Sequence, residues 1–243
     1  MDTSKIFVSA GCSFSECFSA EYPNKKTWPY FVSESLQYQS VHTAIGGNGN
    51  GLIARNLIYT LTKLLENQDS TKILVGVAWS SSDRFEFYHN DAAFANNEVL
   101  QPQPNPVGFV ADSDKKWYRI NANSDNSYGK IFHQYFHDDC ALLINTIEHI
   151  LRIQWFLKLH NVSYFMTAAT DQSIDRAQIN HPEIDYLYKQ IDFSRWLPVS
   201  SVQNWCRNHS GLPWPKNTGG HPSEQQQQKF AEHVIIPFIQ HGP

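Results

Sequence analysis

Lys5-Ile6-Phe7-Val8-Ser9-Ala10-Gly11-Cys12-Ser13-Phe14-Ser15 is an apolar run of strand length that ends on a small-residue turn carrying hydroxyls. Open α/β sheets place their ligands beyond the C-terminal ends of the strands, so a strand stopping at Gly11 delivers Ser13 to that edge. A second turn, Ile45-Gly46-Gly47-Asn48-Gly49-Asn50-Gly51, closes another short apolar run. Near the far end, Gly219-Gly220-His221-Pro222-Ser223 supplies a base just before a helical pattern. A serine at the first strand end, a glycine at the second and a late histidine make the skeleton of an acyl-transfer site.

Outward from these turns the pattern alternates between strand and helix. Thr27 reads as the cap of a helix over 27–36 with Pro29 in its first turn, and 41–45 as the second strand. Leu52, Ile53, Leu57, Ile58, Leu61, Leu64 and Leu65 recur at helical spacing across 50–67. Lys72 to Trp79 is apolar throughout, as a parallel strand buried on both faces is. Regularity breaks over about 84–130, which reads as an insertion or lid, because structureless stretches of that length are usually functional or mobile. A long helix is expected over 131–160, a strand over 162–168, and a last helix over 223–236 that Pro237 stops. The series predicts one domain over 1–243, a three-layer α/β/α sandwich on a mainly parallel sheet.

Bulk properties narrow the partners. A chain of 243 residues that is 41% hydrophobic can bury a sizeable core. The formal net charge is −4 and no Lys/Arg run occurs, so there is no electrostatic footprint for nucleic acid or for an anionic membrane. A small or neutral molecule is the expected partner. Cys12, Cys17, Cys140 and Cys206 lack tight repeated spacing and read as free thiols, with Cys12 buried beside Ser13. The chain enters its first strand at once, without signal-peptide or membrane-span character, so a cytoplasmic location is expected.

Other patterns point elsewhere with less force. His133 and His137 stand at zinc-ligand spacing, but no Glu follows the first, and a solvated helix end explains them better. The turn at 46–51 before a helix has the makings of a phosphate cradle, yet it lacks both Gly-Lys-Ser/Thr and Gly-x-Gly-x-x-Gly. Asp83-Arg84 fits a substrate clamp or a surface ion pair equally well. Phe85, Phe87, Tyr88, Phe94 and Trp117 either shape an acyl or sugar pocket or pin the insertion down.

The order Gly-x-Ser-Phe after the first strand, Ile-Gly-Gly-Asn after the second, a polar turn after the third and Gly-His-Pro before the last helix resembles the SGNH (GDSL-like) hydrolases. It is most similar to the compact, leaderless members met in phage and bacterial genomes, where a Thr-Trp-Pro element also follows the serine block. The resemblance implies a flavodoxin-like sandwich with a five-stranded parallel sheet, and an ester hydrolase that needs no metal or organic cofactor. It implies Ser13 as nucleophile, His221 as general base, and the N–H groups of Ser13 and Gly47 as oxyanion donors, with Gly46 and Gly49 as the neighbouring registers. The implied substrate is a small-molecule or carbohydrate ester with a short acyl group, such as the acetyl of an O-acetylated sugar. If the gene is a phage's, the location widens to the virion.

Two positions depart from that family. The third block has no asparagine, leaving the hydroxyls of Ser80 and Ser81 as substitute donors. Thr218 stands where the acid three residues before the histidine belongs. The histidine must then be oriented by a backbone carbonyl, by the Thr218 hydroxyl, or by a distant carboxylate such as Glu16, Asp83 or Asp171. The departures also admit an impaired relative that binds a glycan or a protein, and the 46–51 turn keeps open a phosphate- or nucleotide-binding flavodoxin-like protein.

Overall fold

The computed structural model describes residues 5–18, 24–88, 117–120, 127–174, 181–216 and 218–242. The strands, in chain order, are β1 (Ile6–Ala10), β2 (Gln39–His42), β3 (Ile73–Trp79), β4 (Phe85–Tyr88), β5 (Trp117–Ile120) and β6 (Ser163–Ala168). The helices are α1 (Trp28–Leu36), α2 (Asn50–Leu65), α3 (Ser127–Tyr135), α4 (Asp139–Leu159), α5 (Pro182–Tyr188), α6 (Val202–Asn208), α7 (Glu224–Phe230) and α8 (Ile236–His241). One parallel sheet runs in the order β2-β1-β3-β6, with Val8 opposite both Val41 and Val75. This is the doubly wound arrangement, in which the chain starts at the centre and the C-terminal strand ends form one functional edge.

Strand periodicity divides the core into two layers. Ile6, Val8, Ala10, Val75, Val77 and Trp79 face α2, α4 and α5, where they meet Ile53, Leu57, Ile147, Ile150 and Ile184. On the other face Phe7, Ala78 and Phe165 meet Trp28 and Val32 of α1 and Phe230 of α7. Phe7 and Phe165 stack with centroids 6.2 Å apart, and a Cβ on the intervening Gly76 would lie 2.6 Å from Phe165 Cζ. A glycine is needed in β3 because the Phe165 ring fills the space above it.

Four strands pair fully; the expected fifth position holds only a single parallel bridge between Met166 and Trp196, closed by Leu197 N–H on Met166 C=O at 2.9 Å. β2 lies at 39–42 rather than 41–45, which leaves 43–49 free to form the glycine turn. The expected helix over 131–160 is two helices, because Asp138 caps a new start by accepting from Ala141 N–H at 2.8 Å. Part of the supposed irregular insertion is ordered: β4 and β5 pair antiparallel, and Phe85 stacks on Phe132 of α3 at 4.8 Å. Residues 89–116 and 121–126 of that segment, Phe94 among them, lie outside the described residues.

Pro237 does not stop the last helix. Residues Ala231–Ile235 form a π-helical turn, Ile236 N–H reaches back to Ala231 C=O, and Pro237 falls in the first turn of α8, where its missing N–H leaves no gap. No helix among the described residues is long and apolar enough to cross a membrane.

Candidate active site

β1 ends at Ala10, and the chain folds into a tight turn in which Ser15 and Glu16 both donate backbone N–H to Cys12 C=O, at 2.8 and 3.1 Å. Cys12 points into the core and Ser13 stands out at the sheet edge, only partly buried. Ser13 Oγ lies 2.6 Å from His221 Nε2, across 208 residues of sequence.

His221 gets its orientation from the backbone. Gly219 and Gly220 have φ of 60° and 82°, left-handed values that a glycine pair adopts without strain. The resulting turn brings both His221 N–H, at 3.2 Å, and His221 Nδ1, at 2.9 Å, onto Thr218 C=O. A carbonyl only accepts, so Nδ1 carries the proton and Nε2 presents its lone pair to the Ser13 hydroxyl. The Thr218 hydroxyl donates to His221 C=O at 2.8 Å instead, and Phe14 packs against the imidazole at 4.8 Å.

None of the three candidate carboxylates bonds to the His221 ring among the described residues. Asp171 accepts from Ser201 Oγ at 2.6 Å and Asn204 Nδ2 at 2.9 Å. Glu16 accepts from Gly46 N–H at 2.9 Å. Asp83 Oδ1 is buried with no described hydrogen-bond partner.

The glycine turn lies beside the serine turn, joined to it by Ile45 N–H on Gly11 C=O at 3.4 Å. Among the described residues the N–H groups of Ser13 and Gly47 bond to no protein acceptor, whereas Gly46 N–H is taken by Glu16 and Gly49 caps α2. Gly47 has φ of 77°. Asn50 locks this turn to the end of β3: its Oδ1 accepts from Ser80 N–H at 2.8 Å and its Nδ2 donates to Ser80 C=O at 3.1 Å. Ser80 Oγ is sealed from solvent without a described partner, so the structure does not offer it as an open donor; Ser81 is half-buried. Arg84 donates to Asn48 C=O at 3.0 Å rather than pairing with Asp83.

Burial of the ring lowers the His221 pKa below its ordinary 6.5, and the cationic Lys25 and Arg84 push it the same way; the bond to Thr218 C=O opposes them. Lys25 itself had no sequence signal. It donates to Ser13 C=O at 2.9 Å and lies 3.6 Å from Glu16. Gln227 was also missed: its Nε2 donates to Phe14 C=O at 3.3 Å and its Oε1 accepts from Trp28 N–H at 3.2 Å, tying α7 to the serine turn. Its clue was its helical spacing from Phe230 and Ala231 on the buried side of α7. No cluster of three metal-ligating side chains occurs among the described residues, His133 and His137 included.

The sandwich, with a Ser–His pair at its C-terminal edge, is thus an α/β protein. The chain belongs to a family of unknown function, DUF6071, which matches residues 15–242. Among solved structures it is similar to a G-D-S-L family protein from Desulfitobacterium hafniense DCB-2, at 9% identity and a TM-score of 0.46 over 95% of this chain and 97% of that one. It is also similar to an acetyl xylan esterase from the rumen bacterium Butyrivibrio proteoclasticus, at 12% identity and a TM-score of 0.42, covering 99% of this chain and 64% of that one. No curated protein matches it in sequence.

Proposed function

We propose that the protein is a serine ester hydrolase that removes a short acyl group from a small-molecule or carbohydrate ester. The observation that carries this reading is the 2.6 Å approach of Ser13 Oγ to a His221 whose tautomer is fixed by Thr218 C=O. In the first half-reaction Ser13 Oγ attacks the ester carbonyl carbon and its proton passes to His221 Nε2. The tetrahedral oxyanion is held by the N–H groups of Ser13 and Gly47. Collapse of that intermediate breaks the C–O bond, and the departing alcohol takes the proton from Nε2. Water then attacks the acyl-Ser13, giving its proton to Nε2; expulsion of Ser13 Oγ, reprotonated by His221, releases the acid. Each step is complete with Ser13, His221 and water.

A carbonyl supports the imidazole less than a carboxylate does, because it adds no negative charge to the imidazolium. Loss of the acid in triad proteases costs about 10⁴ in turnover, so a modest kcat is expected. The same carbonyl favours a second reading, in which the fold binds a glycan or protein without turning it over. Hydrolysis of p-nitrophenyl acetate and butyrate by wild type and Ser13→Ala separates the two. Turnover that vanishes in a folded Ser13→Ala supports the esterase; equal rates in both support the binding protein.

A further inference from the structure

Glu16 sits one turn beyond the serine, with little of its side chain exposed, and both of its oxygens are engaged. Oε1 accepts from Gly46 N–H at 2.9 Å, and Oε2 lies 3.6 Å from Lys25 Nζ, which donates to Ser13 C=O at 2.9 Å. Ser13, Lys25, Glu16 and Gly46 therefore form a continuous polar chain between the serine turn and the glycine turn. Apart from one long backbone bond, Ile45 N–H on Gly11 C=O at 3.4 Å, it is the polar link between those two turns among the described residues.

We infer that Glu16 is a positioning residue of the proposed hydrolase, a carboxylate that fixes the Gly46-Gly47 backbone so that the N–H groups of Gly47 and Ser13 converge on one oxyanion. The inference rests on the ester-hydrolase reading above.

The geometry gives three supports. Fixing Gly46 N–H holds the peptide immediately before the one that carries the Gly47 N–H, together with the turn bond from Asn48 N–H to Ile45 C=O at 3.1 Å. A Cβ on Gly46 would lie 3.1 Å from Glu16 Oε2, so any side chain there would press on the carboxylate. A bare carboxylate beside a developing oxyanion would repel it; Lys25, between Glu16 and Ser13, supplies the compensating charge. The same lysine is one of the two cations, with Arg84, that disfavour protonation of His221. The Lys25–Glu16 pair thus touches the glycine turn through Gly46 and adds a cation near the base through Lys25.

The experiment compares wild type, Glu16→Ala and Glu16→Gln on p-nitrophenyl acetate over a range of pH, each first checked by thermal unfolding. Removing one oxyanion donor in a serine hydrolase costs about 10²–10³ in kcat; Glu16→Ala is expected to lose roughly 100-fold with KM within about twofold. Glu16→Gln keeps an acceptor for Gly46 N–H and is expected within roughly tenfold of wild type. Rescue by Gln but not by Ala, read on the pH plateau of kcat, is what a loss of bulk alone would not produce. Should Glu16→Ala not fold, Glu16→Met, which keeps the bulk without an acceptor, carries the test with the same expected loss. A folded Ala or Met variant with kcat within twofold of wild type overturns the clamp while leaving the hydrolase standing. A wild type without Ser13-dependent turnover overturns the hydrolase reading and this role with it.

Discussion

The His221 imidazole occupies a place where protonation is disfavoured, by burial first and then by Lys25 and Arg84. In the proposed hydrolase the general base must be neutral to accept the Ser13 proton, so activity is expected to rise with pH as His221 loses its own proton. Because that pKa is lowered, the acid limb of kcat/KM is expected below the ordinary 6.5. Arg84 reaches only Asn48 C=O among the hydrogen bonds of the site, so Arg84→Met removes a charge without touching Ser13 or His221. The acid limb of Arg84→Met is expected to move up toward 6.5 in a pH–rate titration. A limb that stays in place would show that burial and Lys25 depress the histidine without help from Arg84.

At the scale of elements, α7 does more than follow the histidine. Its Ser223 cap accepts from Gln226 N–H at 3.3 Å, while Gln226 Nε2 reaches Cys206 C=O at 3.0 Å and Gln227 bridges Phe14 and Trp28. Gln227→Ala would leave the buried Trp28 N–H and Phe14 C=O unpaired, at a cost of about 2 to 4 kcal/mol. Gln228, which reaches only Glu232 at the surface, should tolerate alanine within about 0.5 kcal/mol. Urea unfolding of the two variants checks the contrast; equal losses would mean that the buried bridge contributes nothing special. This helix also shows what was legible. β1 and β3 were readable because helices cover both faces and, Ser9 apart, every position is apolar or glycine, and Ser13 and His221 because they are side chains set in distinctive turns. Thr218 C=O and Gly46 N–H are backbone groups, and no residue type announces which carbonyl or amide a side chain will meet. The break before Asp138 went unread because apolar spacing continues through it, and Pro237 because a π-helical turn has no periodic signature.

On the scale of the whole molecule, one buried and one half-buried histidine make folding itself pH-dependent. His42, bonded through Nδ1 to Ser9 Oγ at 2.7 Å across the β1–β2 pair, has its pKa lowered to about 4 by burial. His149, on α4, is lowered to about 4 by burial and by the nearby Arg152 and Arg55. Each is neutral in the fold and protonated in the unfolded chain once pH drops below 6.5. Their stability contribution is therefore complete above 6.5 and declines as pH falls toward 4, by about 1.4 kcal/mol per unit and per histidine. Between pH 6.5 and 5 each costs about 2 kcal/mol, so together they remove a large share of the 5–15 kcal/mol typical of a domain. Carboxylates act in a lower window: Asp192, bonded to Lys158 and Ser194, is held below its ordinary 3.8, and its contribution is lost only under stronger acid. Urea midpoints measured from pH 7.5 to 4.5 should fall steadily below 6.5 in the wild type and less steeply in His149→Gln. A midpoint that is flat to pH 5 would mean that the fold admits the imidazolium at one or both sites without penalty, contrary to the burial that sets their pKa values.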